Sequence, residues 1–219
     1  SNTLYYIYAR SVCDDNESGY TDWYGAQFKT SLGFPYAEDF SMMSSFPDGW
    51  QEMQGELAVA YLNAADLESA ESNTSGWSVY SQSGGGISGR HAMCDPYYLE
   101  RPLWLISPVI DLIGVEDEAI DLRFDLSITA SDMQSNVDDQ TKLLHRFYVL
   151  ISEDGGLTWT KLNTTEWGNA VSDISITQLS ATPHRYRVDM APFIGHNVRI
   201  AFVGKGLAFG TRAYFHLGN

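Results

Sequence analysis

The cleanest hydrophobic pattern in the chain lies between Ile120 and Thr129. Ile120, Leu122, Phe124, Leu126 and Ile128 alternate with Asp121, Arg123, Asp125, Ser127 and Thr129. A period of two with one apolar side predicts an antiparallel strand, apolar residues inward and polar residues outward. Farther on, Tyr186 and Val188 alternate with Arg185, Arg187 and Asp189, and Val198, Ile200 and Phe202 again point to one side. Residues 213–217 form a last strand. Residues 5–10 and 26–30 read as two strands around a polar loop, 14–21. Shorter runs at 36–40, 77–81, 91–94 and 103–108 add four more, with Pro108 at a strand end or edge.

Residues 148–162, YVLISEDGGLTWTKL, carry a hairpin signature, because two apolar runs flank Glu153-Asp154-Gly155-Gly156. Around the turn, Ser152, Asp154, Gly156, Thr158 and Trp159 spell S-x-D-x-G-x-T-W. Asp154 accepts backbone N–H groups, the glycines supply positive φ, and Trp159 covers the hairpin base. The same spelling resembles the Asp-box of sialidases, where it is a structural turn. It occurs once here, without a recognisable arginine cluster or tyrosine nucleophile, so a structural turn is expected.

Between the strands, 55–70 holds good helix formers but a poor apolar stripe, which predicts a short helix or an irregular excursion. Residues 32–35 read as a linker and 131–142 as a polar loop. Residues 73–76 and 83–89 (SGGGISG) read as Gly/Ser loops. The glycine run is followed by no Lys-Ser/Thr pair, so a flexible loop is expected rather than a phosphate cradle. About ten short strands with turns between them, and no βαβ alternation, predict an all-β sandwich.

Composition narrows the function classes. Thirteen Lys and Arg oppose 28 Asp and Glu in 219 residues, a net charge of -15. Such a chain is unsuited to nucleic acid or to anionic membranes. No apolar run approaches the length of a membrane-spanning helix. The chain begins in mid-pattern and reads as a fragment, so the lack of a signal peptide carries no weight. Two cysteines, Cys13 and Cys94, permit one bridge at most, and free thiols are the favoured reading. None of His91, His145, His184, His196 and His216 lies three or four residues from another, which gives no zinc signature. His145 and His216 fall in predicted strands and read as core-edge residues. There is no G-x-S-x-G elbow.

Exposed aromatic rings stack on sugar faces and anchor protein interfaces. Trp23, Trp77, Trp167, Tyr97 and Tyr98 fall in or beside predicted loops. They serve either as such anchors or as caps on the sandwich edges. Tyr97, Tyr98 and Arg101, beside the glycine run and with Trp77, form the candidate ligand-binding patch.

Two resemblances give these residues a context. The text YYIYARSVC and GYTDWYGAQFKT, within residues 1–30, resembles the last two strands of a fibronectin type III domain of bacterial surface proteins. Residues 33–219 carry FPYAEDFSMMSSFPDGW, WLISPVIDL, FYVLISEDGGLTWTKL and YRVDMAPFIGHNVRIAF in that order. Their order and spacing resemble the cleaved-adhesin, or choice-of-anchor J, family, to which gingipain adhesin domains belong. The resemblance implies a jelly-roll β-sandwich of two antiparallel sheets, related to MAM and galactose-binding folds. It implies a non-catalytic module, secreted or on a bacterial cell surface, that binds a glycan or a host or partner protein.

The same resemblance implies structural calcium where the first strand meets the last, near Glu38, Asp39 and Asn219. Ser41 and Gly218 stand where the family carries carboxylates, so the expectation is an empty site or weak Ca2+ binding. Two other readings stay open at this point: a jelly-roll glycoside hydrolase or lyase, and a structural spacer in a larger secreted protein.

Overall fold

The computed structural model describes residues 4–9, 24–29, 32–33, 35–41, 44–56, 62–63, 68–69, 76–97, 101–116, 120–162, 178–206 and 212–219. The strands, in chain order, are β1 (Leu4–Ala9), β2 (Tyr24–Lys29), β3 (Leu32–Gly33), β4 (Gln51–Gln54), β5 (Leu62–Asn63), β6 (Glu68–Ser69), β7 (Gly76–Tyr80) and β8 (His91–Asp95). They continue with β9 (Leu103–Ile106), β10 (Ile110–Asp111), β11 (Asp121–Ala130), β12 (Arg146–Ser152), β13 (Thr158–Lys161), β14 (His184–Asp189), β15 (Asn197–Lys205) and β16 (Ala213–Gly218).

Two sheets make a β-sandwich. The larger runs β5-β13-β12-β15-β9-β4-β6, with β10 and β3 attached beside β15, and the smaller runs β14-β11-β16-β8-β7. From β8 onward the chain steps back and forth between the sheets, which is the winding of a jelly roll. Among the described residues pairing is antiparallel except where Ile110 and Asp111 meet Leu32 and Gly33. Among the same residues β1 and β2 pair only with each other, in register from Leu4–Lys29 to Ala9–Tyr24.

The inner faces supply the main core. Leu105, Val149, Ile151, Ile200 and Phe202 of the larger sheet meet Leu126, Ile128, Val188, Phe215 and Leu217 of the smaller. A second cluster, Trp104, Ile106, Leu150, Trp159, Ala201 and Val203, lies on the opposite face of the larger sheet. Trp104 and Trp159 meet there edge to face, 5.8 Å between ring centres. Their indole N–H groups donate to the carbonyls of Gly55 and Gly156, so neither large ring is buried with an orphan donor.

The β12–β13 hairpin forms as its sequence requires. Asp154 Oδ1 accepts from Ser152 Oγ and from Thr158 N, both at 2.8 Å, and Gly156 N donates to Ser152 Oγ at 2.8 Å. Gly155 and Gly156 take φ of 78° and 103°.

Five expectations need correction. Residues 36–40 are not a strand. Glu38 Oε1 accepts Phe40 N at 2.8 Å and Asp39 Oδ1 accepts Ser41 N at 2.9 Å, so side chains take the donors that a ladder would need. Phe40 is turned to φ 56° and its ring enters the core against Phe46 and Trp50. Leu32 and Gly33 are stitched to Ile110 and Asp111 rather than forming a linker. Within 55–70, residues 62–63 and 68–69 pair as strands with β13 and β4, where tertiary pairing overrides helix propensity. Residues 131–142 end in a one-turn helix (Asp139–Lys142), whose first turn is capped by Asp138 through Thr141 N.

The fifth concerns the glycine run. It is a bonded turn, Gly84 and Ile87 forming a bridge and Gly85 N donating to Met133 O at 3.0 Å. It lies across the outer face of the smaller sheet. Ser127 and Thr129, the polar side of the β11 pattern, are therefore fully buried instead of solvated. His216 is buried under the same turn, and His145 is buried as well, its Nδ1 2.8 Å from Thr141 O.

Candidate functional site

The aromatic patch expected around Tyr97 divides in the structure. Trp77 is a core residue, 4% exposed, on the inward side of β7. Its Nε1 donates to Leu103 O at 3.0 Å, across to the other sheet, and its ring meets Phe147 edge to face. Its place beside a Gly/Ser loop in sequence does not expose it, because a strand begins at Gly76 and alternation sends the indole inward. Trp77, expected to face a ligand, is instead part of the core. Tyr98, Trp23, Trp167 and Cys13 lie outside the described residues. Cys94 is a free, buried thiol, and burial pushes its pKa up. Arg101 is exposed, two residues ahead of β9.

Tyr97 is half-buried at the end of β8, and the structure gives it partners that sequence reading did not supply. Asp95, buried at the last position of β8, accepts Tyr97 N on Oδ1 at 3.2 Å. Its Oδ2 accepts from Arg212, at 3.1 Å for Nε and also from Nη2. Arg212 precedes β16, 117 residues away in sequence. The guanidinium carbon lies 5.4 Å from the centre of the Tyr97 ring and 5.1 Å from that of Tyr214. Contacts of this length are cation–π contacts.

The arrangement is asymmetric in exposure. The Asp95 side chain is 4% exposed and that of Arg212 38%. The carboxylate is thus a fixed base that aims the guanidinium outward. Nε and Nη2 are spent on Asp95, while Nη1 is not. Asp95 also stabilises the charged form of Arg212 and raises its pKa. Asp95 was not singled out by the sequence, although the dipeptide Asp95-Pro96 is a turn opener that could have marked it as a backbone acceptor. Nothing in the sequence tied it to Arg212.

The three residues expected to bind calcium do not converge. Glu38 and Asn219 border one cleft, of about 520 Å3 with its open mouth, beside Tyr36, Trp50, Phe40 and Arg123. Asp39 is exposed, is not among the cleft's lining residues, and has its carboxylate on Ser41 N. Glu38 spends one oxygen on Phe40 N. Calcium takes six to eight oxygens. Among the described residues no three His, Cys, Asp or Glu side chains are grouped to hold a metal ion. Tyr36 instead serves the fold: its hydroxyl accepts Trp50 Nε1 at 3.0 Å, and burial pushes its pKa to about 12.

No helix among the described residues is long and apolar enough to cross a membrane. No protein-family model matches the chain, and no curated protein matches it. Among solved structures the chain is similar to carbohydrate-binding modules of promiscuous specificity from the β-sandwich superfamily. There the identity is 8%, the match covers 100% of this chain and 73% of that one, and the TM-score is 0.45. It is also similar to the K3 cleaved adhesin domain of Lys-gingipain from Porphyromonas gingivalis w83, a domain of the kind that the sequence motifs resemble. That match has 16% identity, covers 83% of this chain and 93% of the adhesin domain, and has a TM-score of 0.43.

Proposed function

We propose that the chain is a non-catalytic extracellular binding module and that it takes a neutral glycan at Tyr97 and Arg212, with Tyr214 buried beneath them as support. The observation that carries the reading is the guanidinium of Arg212, held against two tyrosine rings by a buried carboxylate. An aromatic ring packs on the C–H face of a pyranose, and a fixed guanidinium donates to neighbouring hydroxyls. Orientation supplied in advance by Asp95 lowers the ordering cost of binding. Asp95 also cancels the charge of Arg212, and a chain of net charge -15 repels acidic ligands at long range. Both effects favour an uncharged sugar.

A glycan array of neutral and acidic sugars, with product analysis on every positive spot, tests the reading. Binding to neutral glycans without turnover supports it. Product formation turns the reading to a jelly-roll hydrolase or lyase. Silence across the array leaves a protein ligand or a spacer.

A further inference from the structure

The outer face of the smaller sheet contains a closed chain of hydrogen bonds. His91 Nδ1 lies 3.0 Å from Gly89 O, His91 Nε2 lies 2.8 Å from His216 Nδ1, and His216 Nε2 lies 2.8 Å from Thr129 Oγ1. A carbonyl only accepts, so Nδ1 of His91 carries the proton toward Gly89. Nε2 of His91 then accepts from Nδ1–H of His216, whose Nε2 accepts from the Thr129 hydroxyl. With both rings neutral, every donor in this chain has an acceptor. With both rings charged, two N–H groups face each other across 2.8 Å.

Both histidines and Thr129 are fully buried. The groups facing the pair are each other, the ring of Tyr80 from β7 at 5.5 and 6.4 Å, and the polar but uncharged Ser127 and Thr129 of β11. Of the carboxylates on the same outer face, Asp95 is held by Arg212, Asp125 by Arg185 and Asp121 by Arg123 and Arg187, and Asp189 accepts Ala191 N at the far end of the sheet. None of these groups offers a counter-charge to an imidazolium.

The lid over this chain is the 84–87 turn. Gly85 sits so close that a β-carbon there would strike Ser127 Oγ and the His216 ring, and its φ is +57°. Gly85 O accepts Ser127 Oγ at 2.7 Å, and Gly89 N donates to Ser83 Oγ at 3.0 Å. The turn is fastened at both ends, and Gly89, its far end, holds the His91 ring.

We propose that the His91–His216–Thr129 chain is a proton-operated latch, which holds the 84–87 turn over the outer face of the smaller sheet while both rings are neutral and releases it in acid surroundings. Closed, the turn buries Ser127, Thr129 and His216. Open, it exposes two imidazoles that take up protons freely, so each proton bound favours the open form. Burial holds both rings below the ordinary histidine pKa, His216 at about 3, which is the same preference seen from the closed side. The device goes beyond the glycan reading and does not rest on it, since it involves neither Tyr97 nor Arg212.

Amide hydrogen exchange, corrected for intrinsic rates, tests the latch in the intact chain. The reporters are the Gly85 and Ile87 amides, with Val149 and Phe202 of the β12–β15 pair as core references. Between pH 7 and pH 5.5, protection of Gly85 and Ile87 should fall at least about tenfold, while staying below that of the core amides at both values. In His216→Gln the fall should shrink to that of a single histidine. Unchanged protection across that range, or loop amides as protected as the core, overturns the proposal. The wild-type measurement decides the matter whether or not the variant folds.

Discussion

His91 and His216, 125 residues apart in sequence, share a 2.8 Å hydrogen bond inside the outer layer of the smaller sheet. Its consequence for stability has a definite sign. In the unfolded chain each ring binds a proton near pH 6.5, whereas the folded His216 does so only near 3. Stability is therefore full above pH 6.5 and declines as pH falls, by up to about 1.4 kcal/mol per pH unit from His216 down to about 3, with His91, also lowered by burial, adding in the same direction. Thermal melts between pH 7 and pH 5, above the range where carboxylates titrate, should show a falling midpoint. A midpoint flat over that range contradicts the neutral buried pair.

Asp154 bonds the turn that joins β12 to β13. Those bonds hold its carboxyl at about 2, so the carboxylate persists down to that pH. Asp154→Ala should cost about 1–2 kcal/mol of folding stability through the lost turn bonds. Glycan affinity of the folded variant should equal that of the wild type. Chemical denaturation paired with a binding titration checks both halves, and a selective loss of affinity would refute the structural role.

Among the described residues the β1–β2 hairpin pairs with neither large sheet. Deletion of residues 1–30 spares β3, whose Leu32 and Gly33 pair with β10. The shortened chain should unfold in a single cooperative transition by circular dichroism. Loss of cooperativity would make the hairpin part of the sandwich.

Glu38 and Asn219 share a cleft, but Asp39 is spent on Ser41 N. Micromolar calcium should therefore leave the melting midpoint where a chelator leaves it, and only millimolar calcium should raise it. A rise of many degrees at micromolar calcium would mean that other oxygens complete a strong site.

The sandwich was legible because its strands carry a period of two and its turns carry Gly, Asp and Pro at positions with a physical use. Ile120 to Thr129 and the Asp154 turn both formed as their patterns required. Side-chain bonding from Glu38 and Asp39 to the backbone two residues on was not legible as such, since the same letters fit a strand edge. Burial of Ser127, Thr129 and His216 was hidden for another reason. Polar residues on an alternating strand read as solvated unless a distant segment covers them, and nothing marks the 84–87 turn as that cover. In the ligand patch, Tyr97 was visible as a loop aromatic. Trp77 was misplaced by its neighbourhood in sequence, and Arg212 joins Tyr97 only through the pairing of β8 with β16.

Tyr97 and Arg212 are the proposed glycan-binding surface. Removing Arg212 would leave the Asp95 carboxylate buried without its partner and would damage the fold. Tyr97 is half-buried and contributes nothing to the main core, so it is the cleaner probe. The decisive measurement is an isothermal titration of wild type and Tyr97→Ala with the neutral glycan that binds best on the array, alongside thermal melts of both. Affinity of Tyr97→Ala should fall at least about tenfold with the melting midpoint nearly unchanged. Equal affinity in the two proteins would contradict it.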